Sequence, residues 1–106
     1  MRQVIPELES ALQAVGPRIT AVCLNMQDAR GLMNPLDTDA LDRLECLNKV
    51  IDTLRGTGYS DAVVAGFMRA ASDFLDGDAI IMRIRRGDYK SAEHAAWSVA
   101  HSDAMG

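Results

Sequence analysis

The feature that most constrains the fold is a run of apolar residues, Leu44, Leu47, Ile51 and Leu54, repeating at 3-4-3 spacing with Leu41 one turn earlier. Such spacing gathers every member on one face of an α-helix and scatters them over both faces of a strand. Asp37, Thr38 and Asp39 supply capping groups and negative charge for the positive end of the helix dipole, and Arg55-Gly56 closes the other end. The predicted helix runs from about Thr38 to Arg55. Its apolar stripe is narrow and suited to packing against another helix, which a second copy of the chain could supply in a homodimer.

The same period recurs along the chain, punctuated by Gly and Pro. A first helix is predicted from Pro6, with Ile5, Leu8, Leu12 and Val15, until Gly16-Pro17 interrupts it. A second carries Ile19, Val22, Cys23 and Met26 and is stopped by Gly31. The stretch from Ile19 to Leu24 would also suit a strand, but no partner strand is readable, and a lone strand leaves its backbone unpaired. Ser60 caps a further predicted helix whose stripe (Val63, Val64, Phe67, Met68, Ala71, Phe74 and Leu75) is the broadest and is expected to lie deepest in the core. Asp76-Gly77-Asp78 marks a break or kink, with Gly77 ending one helix and Asp78 capping the next. Ile80, Ile81 and Ile84 continue the apolar face to Gly87, and a last helix follows Asp88 with Tyr89, Ala92, Ala96 and Val99. The aromatic residues all lie beyond residue 58, so a bulky C-terminal core and a loosely anchored N-terminal region are expected. The expected fold is all-α: one domain, residues 1–106, built as a compact bundle of five or six helices.

Composition narrows the function classes. A chain of 106 residues has room for one core and not two. Its 48% hydrophobic and 25% charged residues exclude disorder, and a net charge of −4 argues against a protein that coats nucleic acid directly. No apolar run approaches the roughly 18 residues a membrane span needs, and no signal-peptide core follows Met1-Arg2-Gln3. Cys23 and Cys46 lie outside any CxxC motif and are expected to be free thiols, which points to a cytoplasmic location.

Reactive constellations are missing from the pattern. His94 and His101 lack the i, i+4 spacing of a zinc pair, and Asp73, Asp76 and Asp78 fail calcium-loop spacing, with Ile84 where a bidentate Glu belongs. No metal or cofactor is therefore expected. Neither GxSxG, a P-loop nor GxGxxG occurs, so the chain is not expected to be an enzyme. Asp39, Asp42 and Glu45 read as solvated charge in the first half of a helix.

The basic residues are more informative. Arg83, Arg85, Arg86 and Lys90 cluster around the Gly87 turn, and nine of the eleven basic residues are Arg, the side chain suited to bidentate contacts. They either anchor a partner's acidic groups or neutralise Asp73, Asp76, Asp78 and Asp88 nearby. Trp97 is offset round its helix from the Tyr89-Ala92-Ala96 stripe, and so is either an exposed anchor beside His94 and His101 or core. Met side chains adapt to varied partners. The expected partner-binding set is Arg83, Arg85, Arg86, Trp97, Met68 and Met82.

The segment Arg86-Gly87-Asp88-Tyr89-Lys90-Ser91-Ala92 resembles the turn and second-helix start of a tetratricopeptide repeat, matching at Gly87, Tyr89 and Ala92. The likeness covers some thirty residues. It departs in the first helix, where Asp76, Ala79, Ile80 and Arg83 stand in place of Trp, Leu, Gly and Tyr, and no second copy follows at a 34-residue period. It implies one helical hairpin like those of small chaperones that hold needle subunits in type III secretion. In that case Met68, Phe74, Met82 and Trp97 would face the partner. The expected function is stoichiometric protein binding, as a small chaperone, antagonist or regulatory adaptor. The alternative is an inhibitor of a host nucleoprotein machine that presents Asp37, Asp39, Asp42 and Glu45 where phosphates would lie.

Overall fold

The computed structural model describes residues 5–105, with side chains to His101. Among these residues the chain forms five α-helices: α1 (Pro6–Cys23), α2 (Thr38–Arg55), α3 (Asp61–Arg69), α4 (Ile80–Arg85) and α5 (Tyr89–Met105). Short 3₁₀ turns occupy Ala29–Met33 and Asp73–Leu75. The only β-type pairing among the described residues is an isolated bridge between Ala71 and Ala79. The architecture is the expected all-α bundle. No helix among the described residues is long and apolar enough to cross a membrane.

α2 is the central element, packed against α1 on one side and α5 on the other. Asp37 caps it, its Oδ1 accepting from the Ala40 N–H at 2.8 Å. Leu44, Leu47, Ile51 and Leu54 are all buried, as their spacing requires, together with Ala40, Cys46 and Val50. The stripe is thus wider than the seam alone and is consumed within the fold, which removes it as a homodimer surface. Leu41, one turn earlier, is the exception and stands 44% exposed. α5 buries Ala92, Ala95, Ala96 and Ala100, whose small side chains allow close approach of the helices packed against it.

α1 contains the interruption read at Gly16-Pro17. Gly16 takes φ +86° and ψ 169°, a conformation essentially confined to glycine, so α1 is two helical halves joined across a kink, the second restarted by Pro17. The buried Thr20 donates its hydroxyl to the Gly16 carbonyl at 2.8 Å, one turn back at the kink. The second half is helical, not a strand, but it stops at Cys23, well short of Gly31. Asn25 supplies the stop by adopting φ +63°. The Met26 N–H then reaches the Ala21 carbonyl at 2.9 Å and the Asn25 N–H the Val22 carbonyl at 3.1 Å, the two bonds of a Schellman cap.

Two expectations about the core are corrected. α3 begins at the Ser60 cap as read, but it ends at Arg69 and buries only Val64 and Met68. Ala70 is extended (ψ 148°), and the chain from 71 to 79 closes on itself instead. The Ala71–Ala79 bridge forms, the Ser72 N–H donates to Asp78, and the Gly77 N–H donates to Ser72. Ala71 and Phe74 are consequently exposed, Val63 is exposed within α3 itself, and α2, not α3, is the deepest element. The aromatic residues do not make the core either: Tyr59, Phe67 and Tyr89 are half-buried, and Phe74 and Trp97 are exposed. The buried cluster contains no aromatic side chain, and Leu8, Ala11, Ala14, Ile19 and Cys23 bring α1 into it. The N-terminal helix is firmly packed, contacting α2, α3 and α4.

Candidate docking surface

The arginines of the predicted binding set are largely committed within the molecule. Arg83 Nε meets Asp78 Oδ2 at 3.0 Å, Nη1 meets Asp88 Oδ2 at 2.9 Å, and Nη2 meets the Leu75 carbonyl at 3.2 Å. One guanidinium thereby ties the 73–78 loop to the turn after α4. Arg86 also pairs with Asp78, and its Nε donates to the Met82 carbonyl at 3.3 Å. Hydrogen bonding from Arg83 holds the Asp88 carboxyl below its ordinary range. Asp78 is the hub of this network and not the N-cap of α4: that position falls to Ala79, which has no side-chain cap bond and donates its N–H to Asp78 Oδ1 at 3.0 Å.

Arg85 points the other way. Its Nη1 donates to the Val22 and Met26 carbonyls at 3.1 and 3.3 Å, at the C-terminal end of α1, while Arg43 Nε donates to the Arg85 carbonyl at 3.0 Å. α1, α2 and α4 are joined by these two arginines. Met68 has no exposed surface at all, so it belongs to the core and is withdrawn from the partner-facing set. Met82 and Phe74 are exposed. Trp97 is 54% exposed, and its ring stacks on His101 at 3.8 Å and 22°, with His101 Nδ1 at 2.8 Å from the Trp97 carbonyl. The structure therefore groups Met82 and Arg83 on α4 with Arg86 at its C-cap, turns Arg85 inward, and sets Trp97 beside His101 on α5.

The thiols offer no nucleophile. Cys23 and Cys46 are free and buried, and burial pushes both up to about 12, leaving them protonated at neutral pH. Beside Cys46, a polar cleft of about 290 Å³ between α2 and α5 holds Asp42, Glu45, Lys49 and Glu93, with Lys49 Nζ at 3.4 Å from Glu45 and 3.9 Å from Glu93. No group of three or more metal-ligating side chains converges among the described residues. A broad hollow of about 480 Å³ at the end of α1 runs from Arg18 past Val22 and Met26 to Arg30, whose guanidinium pairs with Asp28 at 3.5 Å.

A further surface lies at the other end of α1. Ile5, Leu8, Leu32, Pro35, Leu36 and Leu41 line a hollow of about 170 Å³. Beyond Ile5 and Leu41 it continues into a groove of about 400 Å³ between α1 and α2, bordered by Glu7, Glu45, Lys49 and Asp52. Asn48 fixes one wall by donating its amide to the Glu7 carbonyl at 3.0 Å. Met33, on the adjoining 3₁₀ turn, is 59% exposed. The arrangement is an open trough with an aliphatic floor and a mainly acidic rim.

Reading the chain by helical period misses this trough, because the segment Gly31-Leu32-Met33-Asn34-Pro35-Leu36 belongs to no helix and its apolar residues have no period. The available signal was compositional: three large apolar residues in a six-residue connection carrying Pro and Asn. Leu41 gave no second signal, since it lies 3 residues before Leu44 and shares its helical period. No family model, curated protein or solved structure matches the chain.

Proposed function

We propose that the chain is a non-catalytic protein-binding module that acts stoichiometrically, as a small chaperone, antagonist or regulatory adaptor, by covering part of a partner's surface. The observation that supports this reading is the aliphatic trough flanked by exposed Leu41 and Met33. Large aliphatic groups held open along a groove gain free energy when a complementary apolar surface removes them from water. The walls of the longer groove belong to the packed helices α1 and α2, so little ordering cost attends binding there. The free thiols accord with a reducing, cytoplasmic setting.

A second reading draws on Asp39, Asp42 and Glu45, all exposed along α2. In that reading the chain inhibits a host nucleoprotein machine by offering carboxylates to a surface built for phosphates. The test is affinity purification of the tagged chain and its Leu41→Asp variant from the native host. A protein partner retained by the parent and lost from the variant is the expected result. Recovery of nucleic acid alone, or of the same partner with both baits, would overturn the trough-based reading.

A further inference from the structure

Resting on that reading, we infer that the trough receives a basic amphipathic α-helix from the partner, with its apolar residues on the trough floor and Lys or Arg side chains against the rim.

The shape argues for a helix. α2 borders the groove from Leu41 through Glu45 and Asn48 to Asp52, a length of roughly 16 Å at the rise of an α-helix. That is three turns, the span over which an incoming helix presents positions i, i+4, i+7 and i+11. The longer groove is walled by α1 and α2, whose backbone groups are bonded internally, so it offers no strand edge along which an extended peptide could add.

The charge argues for a basic one. The groove carries three carboxylates, Glu7, Glu45 and Asp52, and one ammonium, Lys49, leaving two negative charges in excess. Lys49 is itself engaged by Glu45 and Glu93. The exposed Asp39 and Asp42 of α2 extend the negative field beyond the groove, on a chain whose net charge is −4. An acidic or strictly apolar helix would bring like charge or nothing to this rim. Rim charges of this kind act mainly on encounter rate and on the choice among competitors.

The experiment is a selection on the intact chain from a displayed library of 14-residue helices. Leu is fixed at the floor positions, and the remaining positions are randomised among Lys, Arg, Glu, Asp, Ser and Gln. Enriched peptides are expected to carry net positive charge. Synthesised singly, they should bind the Leu41→Asp variant at least tenfold more weakly, and the parent more weakly as salt rises. The Glu45→Lys/Asp52→Lys variant should shift enrichment toward acidic peptides, and far-ultraviolet circular dichroism checks that it is folded. Enrichment of acidic or uncharged helices by the parent chain, binding that survives Leu41→Asp, or no enrichment would each overturn the inference. So would a dimer of the parent chain that Leu41→Asp dissolves, because the occupant would then be a second copy. A host partner lost on Leu41→Asp, combined with acidic or neutral selected helices, would leave the protein-binding reading standing while this inference fell.

Discussion

Arg85 illustrates how a side chain can be placed correctly on a helix and still be misjudged from sequence. Its position after Ile84 in a run of arginines gives no hint that Nη1 is to cover the Val22 and Met26 carbonyls, since these lie 63 and 59 residues away. Charged hydrogen bonds to carbonyls at a helix end are among the stronger polar contacts, so Arg85→Met should lower unfolding free energy by about 2 kcal/mol. Urea unfolding followed by circular dichroism would read this, and Arg85→Lys should recover only part, because one ammonium lacks the planar reach of a guanidinium. The thiols give a pH prediction of definite sign. Burial raises both from an ordinary 9 to about 12, so above pH 9 the folded state holds protons that the unfolded state releases. Their contribution is fully present below pH 9 and is lost as pH rises toward 12. Unfolding midpoints measured across that interval should fall, and Cys23→Ala should make the fall shallower.

At the scale of elements, legibility tracked whether a helix boundary was written locally. Asp37 and Ser60 cap α2 and α3 through their own side chains, and both starts were readable. The end of α3 was not. Ser72 and Asp78 are bonded to each other across the loop, a non-local choice that defeats the helical period of Ala71, Phe74 and Leu75. The stop after Cys23 falls between, since Asn is the residue after glycine best suited to φ > 0, but the Schellman bonds make it legible only in retrospect. Two glycines turn this into a measurement. Gly16 and Gly66 both have open space where a Cβ would sit, so sterics against neighbours do not distinguish them. Backbone conformation does. Gly16→Ala should destabilise by about 1–3 kcal/mol because φ +86° is strained for any L side chain. Gly66→Ala, inside α3, should stabilise by about 0.5–1 kcal/mol through helix propensity and a less mobile unfolded chain. Thermal melts of the pair should move in opposite directions.

For the whole molecule, a radius of gyration of 13.2 Å matches the roughly 13 Å of a single compact domain of this length. That compactness is reached without a buried aromatic side chain, which is why the aromatic distribution misdirected the reading of core and periphery. Hydrophobic period identifies which residues share a helix face and not which face a neighbouring helix will cover; Leu41 and Leu44 share the period and meet different fates. The distinction yields the sharpest test of core against surface. Leu44 is 2% exposed at the heart of α2, so Leu44→Ala should cost about 2–5 kcal/mol through lost burial and the cavity left behind. Leu41 is 44% exposed on the trough, so Leu41→Asp forfeits only about half of a leucine's burial and leaves no enclosed cavity. It also places a carboxylate in the first turns of α2, where the helix dipole favours it and offsets repulsion from Asp39 and Asp42. Its unfolding free energy should therefore fall by only about 1–2 kcal/mol, less than for Leu44→Ala. If Leu41→Asp instead unfolds the chain as readily as Leu44→Ala, the trough floor is part of the core, and no surface there is available to a partner.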